Sequence, residues 1–267
     1  MVIRARDEAA GIGRCLELVR TQRTYGERIE LILVDSGSQD GTVQIARGFG
    51  AHVVQIAPHE FTFGGALNLG AAQAGGQIIV ALSAHAFLPD PGWLERVAEA
   101  FADERVACAS GDRHRPDGSP LRGAVDQDAS LARSHPDWGY SNAAGAFRAE
   151  LWRRRPFRAA LPGCEDKEWA WHWLQLGWVC RLDRSLAVEH DHTHDPVLSI
   201  YQRARREAEG LAMTLPLGPW RAGGLMREWW SDTRFYGSAA RARLSHRRAA
   251  RLLGARAGRR RGLRRRL

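Results

Sequence analysis

Glu30-Leu31-Ile32-Leu33-Val34-Asp35-Ser36-Gly37-Ser38-Gln39-Asp40-Gly41-Thr42 is the stretch on which the fold turns. Residues 31–34 are an unbroken apolar run, the pattern of a strand buried on both faces of a parallel sheet. The run ends at a carboxylate, passes through residues built for tight turns and enters a helical stretch over 42–48. In open α/β sheets ligands lie where strands end at their carboxyl edge. Asp35 at that edge can accept hydrogen bonds from a ligand, and Gly37 and Gly41 let backbone approach one closely. An ordinary βα turn with Asp40 as helix cap accounts for the same residues, so the neighbouring segments decide between the two.

Those neighbours repeat the pattern. Strands are expected over 2–5, 51–56 and 78–82, with helices over 7–19 and 66–74 between them. Four strand–helix alternations with apolar strands specify a parallel sheet covered by helices. The second half is less regular. A helix over 93–102 and a strand over 106–110 lead to a polar stretch, 111–140, that reads as a long functional or mobile loop. Short strands follow at 143–147, 178–182 and 186–189, with helices at 165–176 and 196–211. Helices with little core and a disordered end are expected beyond Pro216.

Composition narrows the function class. A 44% hydrophobic content with ten tryptophans supports a substantial core. No apolar run approaches the roughly 20 residues of a membrane span. No secretory leader is expected, because Met1-Val2-Ile3 run directly into Arg4, Arg6, Asp7 and Glu8, as if entering a strand at once. Cys15, Cys108, Cys164 and Cys180 form no C-x-x-C pair, which argues against a zinc site or disulfide framework and suits a reducing cytoplasm. The net charge of +9 belongs to the tail: residues 241–267 hold twelve arginines and no acid, leaving 27 basic against 30 acidic residues, net −3, over 1–240. Such a tail suits nucleic acid, an anionic membrane surface or an acidic partner protein. The acidic body and the lack of an aromatic-basic surface pattern argue against nucleic acid. Plain disorder and a coding bias toward arginine, in a chain whose single lysine is Lys167, account for the tail equally simply.

Three further segments carry chemistry: Ser83-Ala84-His85-Ala86-Phe87-Leu88-Pro89 with Trp93-Leu94; Ser141-Asn142 followed by Pro162-Gly163-Cys164-Glu165-Asp166-Lys167-Glu168-Trp169; and Glu189-His190-Asp191-His192-Thr193-His194. In order and spacing these resemble the family 2 glycosyltransferases, over about residues 2–210, and most of all rhamnosyltransferase-like members. The resemblance implies a GT-A fold: α/β, Rossmann-like, with a central, mostly parallel sheet. It implies a glycosyltransferase domain at 1–212, divided into a nucleotide-sugar half (1–110) and an acceptor half (111–212). A helical, Arg-rich, partly disordered extension is expected at 213–267.

Carried over by position, the resemblance places Arg4, Arg6 and Glu8 in the nucleotide pocket, although Arg4 and Asp7 stand where the family has proline and asparagine. It gives Asp35 the reading of the base, sets Gly65 and Asn68 beside the donor diphosphate, and puts Ser83-Ala84-His85 at the Asp-x-Asp metal motif. Asp166 matches the catalytic base, with Glu165 orienting it, and Asn142 and Trp169 fall on the acceptor side. His190 or His192 matches a late metal or phosphate contact, and His85 with His192 would hold a divalent metal, Mn or Mg. Because serine and histidine replace the two acids, metal-free stabilisation of the leaving group and loss of activity stay open beside metal binding. The implied activity is inverting transfer of a hexosyl or rhamnosyl unit from a nucleoside-diphosphate sugar to a hydroxyl of a polysaccharide or lipid-linked acceptor. The implied setting is cell-envelope polysaccharide synthesis at the cytoplasmic leaflet, the enzyme being cytoplasmic or peripheral. A catalytically inactive sugar-nucleotide binder or scaffold of the same fold is the alternative.

Overall fold

A computed structural model describes residues 1–190, 195–215, 217 and 245–266. The chain divides into two compact units. One comprises Met1–Ala160 and Trp169–Asp191, the other Leu161–Glu168 and His192–Leu267.

The first unit is built on an eight-stranded sheet of order β3-β2-β1-β4-β7-β5-β8-β6. Its strands are β1 (Val2–Ala5), β2 (Ile32–Asp35), β3 (His52–Gln55), β4 (Ile78–Ser83), β5 (Val106–Gly111), β6 (Ala124–Gln127), β7 (Ala144–Arg148) and β8 (Val179–Asp183). β1, β2, β3 and β4 pair in parallel, as do β5 and β8, whereas β7 and β6 run antiparallel to their neighbours. Strand order turns back at β1, which has β2 on one side and β4 on the other. In such a sheet the loops leave opposite ways at the carboxyl ends of these strands and open a crevice between them.

Side-chain alternation divides the core between the two faces of the sheet. Ile3 and Leu33 face α1 (Ala9–Arg20), α2 (Thr42–Gly48) and α4 (Trp93–Ala100). Val2, Ile32 and Val34 face α3 (Phe63–Ala72), α6 (Ala149–Arg154) and α7 (Glu165–Gln175). α1 buries Ile12, Cys15, Leu16 and Val19, spaced at three and four residues as one helical face requires. Gly70 lets α3 cross the sheet closely, since a Cβ there would lie 2.3 Å from Val2 Cγ1 and 2.9 Å from Val34 Cγ2.

The polar stretch 111–140 contains structure that its composition hides: β6 on the sheet edge and the short helix α5 (Ala129–Ser134), whose N-cap Asp128 accepts from Leu131 N. The strand expected at 186–189 is instead a 3-10 turn, Arg184–Leu186, followed by a single bridge between Phe87 and Glu189.

In the second unit, α8 (Val197–Thr214) lies parallel to α9 (Ser245–Arg266). A glycine stripe in α9 makes their contact. Cβ atoms on Gly254, Gly258 and Gly262 would stand 2.3, 1.9 and 2.4 Å from the carbonyl oxygens of Tyr201, Arg205 and Glu209. Every fourth residue on both helices is therefore in register, backbone against backbone. Arg247 donates to Asp195 O at 2.7 Å and Arg266 to Leu215 O at 2.7 Å, closing both ends. Arg261 and Arg265 pair with the buried Glu209 at 3.3 and 2.8 Å. Among the described residues no helix is long and apolar enough to cross a membrane.

Alanine is favoured over glycine by about 1 kcal/mol in a helix interior. At Gly258 the steric effect wins, because the added methyl meets a carbonyl rather than a flexible side chain. Gly258→Ala is expected to destabilise the protein by about 1–3 kcal/mol, read as a lowered urea midpoint. A raised midpoint would show that the two helices do not pack at this distance.

Candidate active site

Three strand ends meet at the turn-back point, and hydrogen bonds between the loops that follow them hold it. Asp7, which has a left-handed backbone (φ 54°), donates through its amide to Ser38 Oγ at 2.9 Å and accepts from Gln39 N at 2.8 Å. Glu8 N donates to Thr42 Oγ1 at 2.8 Å. Asp40 accepts from Ala9 N and from Thr42 N, both at 2.9 Å, and from the Thr42 hydroxyl at 2.5 Å. One carboxylate thus ties the start of α1 to the start of α2. The Thr42 hydroxyl, then the Ala9 amide, hold the Asp40 carboxyl below its ordinary range.

Asp35 is fully buried at the end of β2. Its carboxylate accepts from Gly37 N at 3.2 Å, from Ser38 N at 3.2 and 3.3 Å, and from the Ser38 hydroxyl at 2.5 Å. The side chain therefore shapes its own loop, with Gly37 in the left-handed region at φ 87°. These four contacts, from three donors, match the about four lone-pair directions that a carboxylate offers, so a ligand N–H would share or exchange one of them.

At the end of β1, Arg4 donates to Phe63 O at 3.0 Å and lies over the Phe63 ring at 5.7 Å, pinning the start of α3. Arg6 is exposed, 3.8 Å from Asp7. Gly65 donates to Thr62 Oγ1, the α3 N-cap, at 3.0 Å, and a Cβ there would strike that oxygen at 2.6 Å. Asn68 has its amide engaged within the protein. It donates to Phe157 O at 2.8 Å and accepts from Phe157 N at 3.0 Å and Trp152 Nε1 at 2.9 Å. It ties α3 to Trp152 of α6 and to Phe157 after it.

At the end of β4, Ser83 N donates to Ala143 O at 2.8 Å, which sets the 141–143 segment alongside. Ala84 and Asn142 are buried. His85 Nδ1 lies 2.8 Å from Glu8 Oε1, so Glu8 orients the imidazole. The Phe87–Glu189 bridge brings His190 up against it, with rings stacked at 4.8 Å and 14°. Arg14 completes the cluster, pairing with Glu189 at 2.8 Å and covering Phe87 at 3.9 Å. His190, the first histidine of the His-x-His stretch, is one of the two positions that the motif reading offered for a late metal or phosphate contact, whereas Arg14 is a member of this cluster that the reading did not single out. Among the described residues no group of three or more His, Cys, Asp and Glu side chains is placed to hold a metal, and His192 lies outside the described residues. Glu8 and His85 nonetheless form the carboxylate–imidazole arrangement that orients a metal-binding histidine.

Trp169 requires a correction. It is 0% exposed, packs at 5.4–6.4 Å against Tyr140, Phe147, Phe157 and Trp173, and donates to Arg155 O at 2.7 Å. An enclosed indole has no face to offer an acceptor sugar. Of the three tryptophans on α7, Trp171 is the one partly exposed, with Arg133 5.9 Å above its ring. In the second unit, Glu165 is buried and Asp166 half-buried in the first turn of α7. Asp166 Oδ1 accepts from Lys167 N at 2.8 Å. The loop before them packs on α8, where a Gly210 Cβ would lie 1.9 Å from Gly163 O.

Comparison with known proteins identifies the family and the fold. Residues 1–158 match the model of glycosyl transferase family 2. The O-antigen chain rhamnosyltransferase WbaN of Salmonella anatum is 28% identical over 191 residues, 66% of this chain and 60% of that protein. RfbN of Salmonella typhimurium, also an O-antigen chain rhamnosyltransferase, is 26% identical over 200 residues, 68% of this chain and 62% of its own. The chain thus spans about three fifths of the length of these relatives. Among solved structures, the mannosyltransferase PcManGT of Pyrobaculum calidifontis, in complex with GDP-Man and Mn2+, superposes with a TM-score of 0.69. That match is 19% identical and covers 96% of this chain and 83% of the other. Glucosyl-3-phosphoglycerate synthase of Mycobacterium tuberculosis, with Mn2+ and UDP, gives 0.61 at 21% identity over 82% and 80%. At these identities the superpositions speak for the shared GT-A fold.

The Asp40 tie gives a pH dependence. A carboxyl whose pKa is lowered on folding adds stability that is full above the unfolded value, 3.8, and is lost as pH falls through the folded one. Asp40→Asn keeps an acceptor but cannot titrate. Its melting temperature is expected to fall less than that of the wild type between neutral pH and about pH 3. Parallel falls would mean that the tie does not form.

Proposed function

We propose that this chain, which belongs to glycosyl transferase family 2, moves a sugar from a nucleoside-diphosphate sugar to a hydroxyl of a glycan or lipid-linked acceptor, with inversion at the anomeric carbon. The observation that carries the reading is the cluster at the ends of β1, β2 and β4, where Asp35 is held by its own loop and Arg4 and the Glu8–His85 pair by bonds to neighbouring segments. The two Salmonella relatives support a rhamnosyl donor and an acceptor of the O-antigen type.

In this reading Asp35 accepts from an N–H of the base, while Arg6 and the backbone at Gly37 and Gly65 border the ribose and diphosphate. Asp166 takes the proton from the acceptor hydroxyl as its oxygen bonds to the anomeric carbon, and Glu165 orients Asp166. The bond from that carbon to the diphosphate oxygen breaks on the opposite face, its electron pair leaving with the nucleotide. One base acting directly on the acceptor gives one displacement and therefore inversion. His85, steered by Glu8, is the residue that would hold a divalent cation, with His192 as second ligand. Such an ion supplies Lewis-acid neutralisation of the departing diphosphate. An imidazole suits Mn better than Mg.

Asp166→Asn is expected to lower transfer by about 10²–10⁴-fold while nucleotide-induced stabilisation stays as in the wild type. Retained turnover would remove Asp166 from the base role, and a wild type that binds nucleotide but never turns over would support a binding protein. His85→Ala is expected to abolish the extra stabilisation that Mn gives in the presence of nucleotide. An unchanged Mn increment would place the cation elsewhere.

A further inference from the structure

The α9 helix carries ten of the chain's arginines and no acid, yet only part of that charge is used to hold the helix in place. Gly254, Gly258 and Gly262 face α8, Arg261 and Arg265 pair with its Glu209, and Arg247 and Arg266 reach the residues flanking it. A different strip points away. His246, Leu253, Arg260 and Arg264 recur at seven and four residues, which keeps them on one helical face. All four are exposed, Leu253 at 58%. Arg260 and Arg264 make no ion pair or hydrogen bond among the described residues. Gly254 stands beside Tyr201, so the exposed Leu198 of α8, at 64%, lies within one helical turn of Leu253 along the pair.

We propose that this face of α9, with Arg260 and Arg264 as its phosphate contacts and Leu253 beside them, docks the protein on an anionic lipid surface. The charge has the right sign, and the guanidinium fork matches a headgroup phosphate. A rigid helix with cationic heads beside exposed leucines is the arrangement that settles into the boundary between headgroups and acyl chains. Nucleic acid fits this surface less well. The strip carries no Phe, Tyr or Trp side chain on which bases would stack.

The docking does not depend on the reaction, but one consequence rests on the glycosyl-transfer reading. α9 packs on α8, and α8 packs through Gly210 on the loop that leads to Asp166. At most two helix diameters, about 20 Å, then separate the lipid surface from that loop. A lipid-linked acceptor would meet Asp166 without leaving the membrane.

The test is flotation of the full-length chain with phosphatidylcholine vesicles, with and without phosphatidylglycerol, alongside thermal stabilisation by nucleotide as a separate reading of the crevice. Binding is expected only to the anionic vesicles and is expected to weaken as salt rises. The double variant Arg260→Gln, Arg264→Gln is expected to partition about 25-fold less, about fivefold per arginine. Its melting temperature and nucleotide response should be unchanged, because neither side chain holds the fold. Leu253→Ser should give a smaller loss. Equal binding to neutral and anionic vesicles would overturn the proposal, as would an undiminished double variant. Tighter, arginine-dependent binding to single-stranded RNA than to the vesicles would overturn it in favour of nucleic acid.

Discussion

The Asp40 carboxylate holds the amide of Ala9 and both the amide and the hydroxyl of Thr42, while that hydroxyl holds the amide of Glu8. Without these bonds β1 and β2 would still pair, but the loops at their carboxyl ends would be independent. With them, the beginnings of α1 and α2 are one object. The positions of Asp7, Glu8, Asp35 and Ser38 then follow from the sheet rather than from their own rotamers. Glu8 passes the constraint on to His85 at the end of β4, and the Phe87–Glu189 bridge passes it to His190. The bonds that tie the loops are made by short polar side chains, those of Asp7, Ser38, Asp40 and Thr42, which lose little rotamer entropy on ordering compared with long ones.

The behaviour of Asp35 follows the same logic. A fully buried carboxylate is costly unless hydrogen-bonded, and here its own loop supplies the donors. The turn bonds make the burial tolerable, and as a ligand acceptor Asp35 would share or exchange one of them. Asn68 resolves differently, with both ends of its amide occupied by the backbone and indole of the 152–157 segment.

The parallel half of the sheet was legible because buried parallel strands carry continuous apolar runs, as residues 31–34 and 78–82 do. β6 was not, since Ala-Val-Asp-Gln on a sheet edge buries only one side chain and shows neither a run nor an alternation. Trp169, Trp171 and Trp173 gave conflicting cues, because two-residue spacing on a helix points side chains apart. Sequence alone could not say that Trp169 is the enclosed one. The tail was read by its charge, which hid the signal that organises α9: glycines at 254, 258 and 262, spaced to lie on one helical face. The order of the chemical segments could be read in full, whereas the hydrogen bonds joining Asp40, Thr42 and Glu8 depend on a register that only the folded sheet sets.

The central claim is that the crevice at the ends of β1, β2 and β4 binds a nucleoside diphosphate. Thermal-shift titration of the wild-type chain with UDP, GDP, dTDP and CDP, each with and without Mn, tests it most directly. The account predicts a saturable rise in melting temperature with one base over the others, and a larger rise when Mn is present. No rise with any of the four, in either condition, would contradict it.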